Sequence, residues 1–141
     1  GNEIKPPSKK KYQNKSVNSY DKLINKYGNF DSYLNDTQIS CKSAENKEIY
    51  ISAEGLVFPC CWTAGRLYKS YEKNGKNQIW SFIDNIKNIN AMHQPLENII
   101  EGDMFDKIKK SWKINDCSHG KLKVCAEKCG KDFDAFGDQW K

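Results

Sequence analysis

Between Glu48 and Phe58 the apolar pattern is that of a hairpin. Ile49, Tyr50 and Ile51 form a β-branched and aromatic cluster, which predicts a strand over Glu48 to Ala53. Ala53-Glu54-Gly55 is a turn signal, because glycine accepts the positive φ that tight hairpins need. Leu56, Val57 and Phe58 start a return strand. Elsewhere the spacing is helical. Asn18 or Ser19 can cap a short helix over Tyr20, Leu23, Ile24 and Tyr27, stopped by Gly28. Trp62, Leu67, Tyr68 and Tyr71 recur at loosely helical spacing in Trp62 to Lys73, ahead of Gly75. Ile79, Trp80, Phe82, Ile83 and Ile86 make the strongest apolar stripe and predict a second helix that serves the core. Pro95 can open a short helix through Leu96, Ile99 and Ile100, closed by Gly102. Asp103 then caps Met104 to Trp112, with Phe105, Ile108 and Trp112 on one face. Ile114 to Gly130 reads as a loop. The expected fold class is α+β: a small β-hairpin followed by short helices and a cysteine-bearing C-terminal loop, in a single domain.

Residues 1–17 carry two prolines, the run Lys9-Lys10-Lys11 and no apolar pattern, and read as a flexible basic arm ahead of a domain over 18–141. The lysine run could meet an acidic partner or nucleic acid, although a solvated linker accounts for it more simply. With 38% hydrophobic residues and a mean hydropathy of −0.84, the core must be modest and the surface very polar. The net charge of +5 rests almost wholly on lysine, since Arg66 is the only arginine. Nucleic-acid readers depend on arginine forks, so nucleic acid is not the expected partner. No apolar run approaches the roughly 18 residues of a membrane span, and no signal peptide is recognisable, so a cytoplasmic protein without a membrane partner is expected.

Cysteine changes this picture. Thirteen residues separate Cys41 from Gly55, and four more lead to Cys60. The hairpin would bring Cys41 and Cys60 to the same end of the ribbon. A second group follows at Cys117, Cys125 and Cys129. Two early thiols and two or three late ones are what a four-thiolate cage needs. Cys125 and Cys129 are spaced as one helical turn, about 6 Å apart, which suits two corners of a cubane. Cys117 competes for either place, with Gly120 allowing a loop to fold back. Cys61 should point away from Cys60 and serve as a small buried hydrophobe. His119 could pair with Cys117 on zinc or simply be solvated, and His93 has no partner in sequence. Zinc, iron–sulfur and disulfides all remain open on spacing alone.

The run CKSAENKEIYISAEGLVFPCCW, followed by Cys125-x3-Cys129-Gly130, resembles the auxiliary-cluster region of the SPASM and Twitch domains of radical-SAM enzymes. Those domains hold two or one [4Fe–4S] clusters respectively. The resemblance spans about Ser40 to Gly130. It departs from SPASM after the hairpin: seven residues separate Cys117 from Cys125, and no cysteine follows Cys129. Six cysteines cannot ligate two clusters with four thiolates each, so the resemblance implies one cluster, as in Twitch. It implies Cys41, Cys60, Cys125 and Cys129 as the ligands of a [4Fe–4S] cofactor.

The C-x3-C-x2-C triplet that binds S-adenosylmethionine in that family is absent from these residues, as is any GxSxG, HExxH or P-loop motif. A glycine at position 1 fits a piece of a longer protein, and a free-standing auxiliary-cluster protein fits equally. The resemblance implies electron transfer or docking of a partner or substrate, with no catalysis by the chain alone. Its expected partners are a redox protein or radical enzyme and a peptide or protein substrate. A zinc-stabilised binding module with a lysine-rich partner-binding arm is the alternative function.

Overall fold

A computed structural model describes residues 5, 7–69, 77–134 and 137. The start of the expected arm, and Tyr71, Lys73 and Gly75 beyond the Trp62 helix, lie outside the described residues. The rest is a small α+β fold with one two-stranded antiparallel sheet. Its elements are α1 (Ser16–Tyr27), α2 (Phe30–Asp36), α3 (Lys42–Glu45), β1 (Tyr50–Ile51), β2 (Val57–Phe58), α4 (Cys61–Lys69), α5 (Leu96–Ile100), α6 (Asp103–Ser111) and α7 (Lys123–Cys129). Among the described residues no helix is long and apolar enough to cross a membrane.

The hairpin forms where the pattern puts it. Tyr50 faces Phe58 and Ile51 faces Val57. Gly55 takes φ 82° at the end of the Ala53-Glu54-Gly55 loop, a conformation that would strain any residue with a Cβ. Ser52 closes the loop twice, through its backbone N–H to the Leu56 carbonyl (2.9 Å) and its Oγ from the Leu56 N–H (3.1 Å). The two strands differ sharply in burial. Val57 and Phe58 are fully buried, whereas Tyr50 and Ile51 are exposed.

The apolar stripe at Ile79 departs from expectation. It forms two short 3-10 helices, Gln78–Phe82 and Ile86–Ile89, with extended backbone at Ile83 between them. Asparagine side chains cause the break. Asn77 accepts from the Ile79 N–H and Asn85 from the Lys87 N–H, so each short turn has its own cap and no continuous helix is needed. Ile79, Phe82 and Ile83 still reach the core as expected, but Ile86 is exposed. The segment 114–130 is also only partly loop, because its end folds as α7. Helix α1 begins at Ser16, ahead of the expected cap and inside the expected arm, where the Asn14 side chain accepts from the Ser16 N–H at 2.9 Å. Asp103 opens α6 from its first turn, with Gly102 at the cap.

Two apolar clusters share α7. The larger gathers β2, α4, α5, α6 and the 3-10 segments around Phe58, Ile79 and Ile108, and takes Val124 and Cys125 from α7. The smaller packs α1 and α2 around Tyr33 and Phe133, and takes Ala126. Tyr20, Phe30, Tyr33 and Phe133 form a ring cluster there with centroids 5.6–6.4 Å apart.

The late segment is fastened to the stretch after α2. Ile39 and Gly130 form a β-bridge. The Ser40 N–H donates to the Cys129 carbonyl at 2.9 Å, and Lys131 N–H to the Gln38 carbonyl at 3.0 Å. Gly130 lies so close to the Tyr33 hydroxyl, the Ala126 carbonyl and the Thr37 hydroxyl that a Cβ has no room. Lys121 completes the join from inside. It is 3% exposed, and its ammonium donates to the carbonyls of Asn35 (2.5 Å) and Thr37 (2.7 Å). Burial lowers its pKa. Lys121→Met keeps the apolar stem and strands both carbonyls, and should cost about 2–3 kcal/mol in urea unfolding. An unchanged midpoint would show that the two bonds contribute nothing net.

Candidate thiol cage

Cys41, Cys60, Cys125 and Cys129 line one pocket. Three parts of the chain deliver them. Cys41 is the N-cap of α3, and the backbone N–H groups of Ser43 and Ala44 point at its sulfur. Cys60 immediately precedes α4 at the end of the hairpin. Its N–H donates to Thr63 Oγ1 (3.3 Å), while the Thr63 hydroxyl donates to the Cys60 carbonyl (2.7 Å) and lies 3.7 Å from the thiol. Cys41 therefore meets unpaired N–H groups at the start of a helix, the setting that favours thiolate. Cys125 and Cys129 sit one turn apart on α7, as their spacing predicts.

The remaining walls are Pro59, Trp62, Thr63, Ile108, Trp112, Val124 and Lys128, so neither a histidine nor a carboxylate lines the pocket. Lys128 stands over the Trp62 ring at 4.1 Å, and Arg66 pairs with Glu127. Both contacts join α4 to α7 beside the thiols. Trp62 is 43% exposed and so belongs to the outer wall of the cage, not to the core.

Electrostatics divide the thiols. A hydrogen bond from Cys129 and the Ser43 and Ala44 N–H groups hold Cys41 down at about 6. The same shared proton raises Cys129, and burial adds to it. Burial pushes Cys125 up to about 12. The indole N–H of Trp112 opposes that rise at Cys125. This Nε1–H is buried and has no hydrogen-bond partner among the described residues. Nothing in the amino-acid pattern singles out this polar group, since Trp112 reads there only as one of three apolar residues on a helix face.

Several expectations are resolved differently. Cys61 lies on the first turn of α4 and is exposed, not buried. The backbone turns into a helix at this point, so the side chain leaves the protein instead of crossing a strand. Cys117 is outside the cage. Its N–H donates to Asn35 Oδ1 at 3.0 Å, its thiol lies 4.0 Å from the Leu34 carbonyl, and it packs on the smaller apolar cluster. Burial raises its pKa. His119 is exposed and engages Asp116 at 2.8 Å. The Ser118 hydroxyl and the His119 ring and N–H groups hold Asp116 down to about 2.

The donor chemistry of the pocket suits a thiophilic metal group. The cavity between the thiols is about 10 Å³, room for one water at most. Among the described residues no three His, Cys, Asp or Glu side chains form a set arranged to hold a single metal ion. No family model, curated protein or solved structure matches the chain.

The proton shared by Cys41 and Cys129 has a pH signature in the reduced, metal-free chain. Cys41 is depressed to about 6, against about 8.5 for a free thiol. Between those values the unfolded chain binds one more proton at Cys41 than the folded chain does, so stability rises with pH. Above about 8.5 the unfolded thiols ionise while Cys125 and Cys129 retain their protons, so stability falls again. Urea titrations from pH 5.5 to 10 should show this maximum, and Cys41→Ser should remove its rising limb. A Cys41→Ser profile with the same rise would place its origin elsewhere.

Proposed function

We propose that the chain is an iron–sulfur protein of the SPASM/Twitch kind, holding one [4Fe–4S] cluster and acting in electron transfer or in docking a partner or substrate. The observation that carries this reading is the convergence of Cys41, Cys60, Cys125 and Cys129 on one pocket lined by no histidine or carboxylate. The four are the same residues that the resemblance implies. Thiolate sets of this kind select iron–sulfur clusters or zinc, and the resemblance favours the cluster.

A bound cluster supplies one-electron transfer. The chain's own residues do the rest. The four thiolates would hold it, the N–H groups at the start of α3 favour the charged form of Cys41, and the Trp112 N–H offers a donor toward the Cys125 sulfur. Pro59, Ile108 and Val124 keep the inner wall apolar. Four cysteine ligands would leave no iron open to S-adenosylmethionine. A separate redox protein or radical enzyme is then the partner, and a peptide or protein the substrate that the pair acts on. Exposed Trp62, with Lys128 over its ring, makes the α4–α7 face the side of the cage on which such a partner would dock.

Anaerobic reconstitution should give about four iron and four sulfide per chain and a broad band at roughly 400 nm. Cys41→Ser, Cys60→Ser, Cys125→Ser and Cys129→Ser should each lose the band. Cys61→Ser and Cys117→Ser should keep it, since one thiol is exposed and the other packs elsewhere. A colourless protein with one tightly held zinc would establish the zinc-stabilised module instead. Iron near eight per chain would overturn the single-cluster reading.

A further inference from the structure

A second cavity, of about 350 Å³, backs onto the cage and shares Cys41, Pro59, Ile108 and Trp112 with it. Its volume lies in the range of small-molecule sites. Ile49, Phe105, Ile108 and Trp112 give it an apolar interior, while Lys47, Glu48 and Lys109 stand at its edge. Among the described residues neither lysine side chain has a hydrogen-bond or ion-pair partner; the neighbouring Lys110, by contrast, is held by Asp106 at 2.6 Å and lies outside the cavity. Two lysines against one glutamate leave the mouth with a net positive charge.

Lys47 adds an independent observation. It is the one residue other than glycine with positive φ (56°) among the described residues. It follows the C-cap of α3, where the Glu48 N–H closes back onto the Ser43 carbonyl at 2.8 Å. Glycine is the strain-free choice at that position. A lysine there costs backbone energy, and its side chain has no hydrogen-bond or ion-pair partner among the described residues. What it does return is an ammonium at the mouth of an apolar cavity, and residues held in sparsely populated backbone regions gather at ligand sites.

We infer that this cavity is a binding site for a small carboxylate with a flat apolar body, its ring between Ile49, Phe105 and Trp112 and its anion held by Lys47 and Lys109. The site stands on its own walls and does not require the cluster, although a ligand in it would touch Cys41.

The test is calorimetric titration of the purified chain, with its iron content measured, against naphthalene-2-carboxylate, naphthalene-2-carboxamide and 2-naphthylmethylamine. The carboxylate should bind more tightly than the amide, and the amine should bind least. Lys47→Gly and Lys109→Gln should each weaken the carboxylate about two- to fivefold, the worth of one exposed ion pair, and leave the amide unchanged. Lys110→Gln should change neither. Lys47→Gly should melt no lower than the parent, which separates loss of binding from loss of fold. Equal affinity for carboxylate and amide, no binding of the carboxylate, or equal losses in Lys47→Gly and Lys110→Gln would overturn the site. Carboxylate selectivity in a sample without iron would sustain it while counting against the cluster.

Discussion

The structure hangs on one join, between the stretch that follows α2 and the segment that carries the late cysteines. Lys121 ties it from beneath through the Asn35 and Thr37 carbonyls, and the Ile39–Gly130 bridge ties it along the edge. Closing a loop from Cys41 to Cys129 costs chain entropy, but the cost grows only with the logarithm of length. A few well-placed hydrogen bonds and a shared core can therefore offset it. Everything else at the cage follows. Once Ser40 is bonded to the Cys129 carbonyl, Cys41 has to lie beside Cys129, and α7 then presents Cys125 toward the hairpin.

Helix α7 is short, and its stability comes from what it touches on either side. Val124 and Cys125 belong to one apolar cluster and Ala126 to the other. Short helices are marginal in water, so their packing supplies the order that propensity does not. This division explains how so polar a chain keeps a defined interior. The thiols occupy the boundary between two small cores, where burial is deep enough to raise Cys125 and yet helix N-termini remain available to lower Cys41.

Much of this was legible in the amino-acid sequence, and the failures have identifiable causes. The hairpin was readable because Gly55 is needed at a positive φ and sits between two apolar runs. The closeness of Cys125 and Cys129 was readable from spacing, because one helical turn puts them side by side. The stripe at Ile79 misled, because periodicity records which residues are buried but not how asparagine caps divide the backbone at Asn77 and Asn85. Cys61 misled for a similar reason: β-pattern reasoning was carried one residue past Cys60, where the chain turns helical. Cys117 could not be placed from spacing, since its position is set by Asn35, far away in the chain. Lys121 and Trp112 carried no sequence signal for their roles. A lysine reads as surface and a tryptophan as core, and only tertiary structure shows the two carbonyls or the unpartnered N–H.

Gly130 has a consequence for how this chain can vary over generations. The position is closed to every other amino acid by missing space, not by backbone shape, for its φ of −67° suits any residue. The adjoining Cys129 would be displaced by the methyl group of an alanine at 130, because the hydroxyls of Tyr33 and Thr37 that it would meet belong to buried side chains with nowhere to retreat. A lineage could exchange most of the exposed lysines freely and still keep the cage. It could not add a single carbon here without first enlarging the room beside Tyr33, so drift at Gly130 must wait for drift at its neighbours.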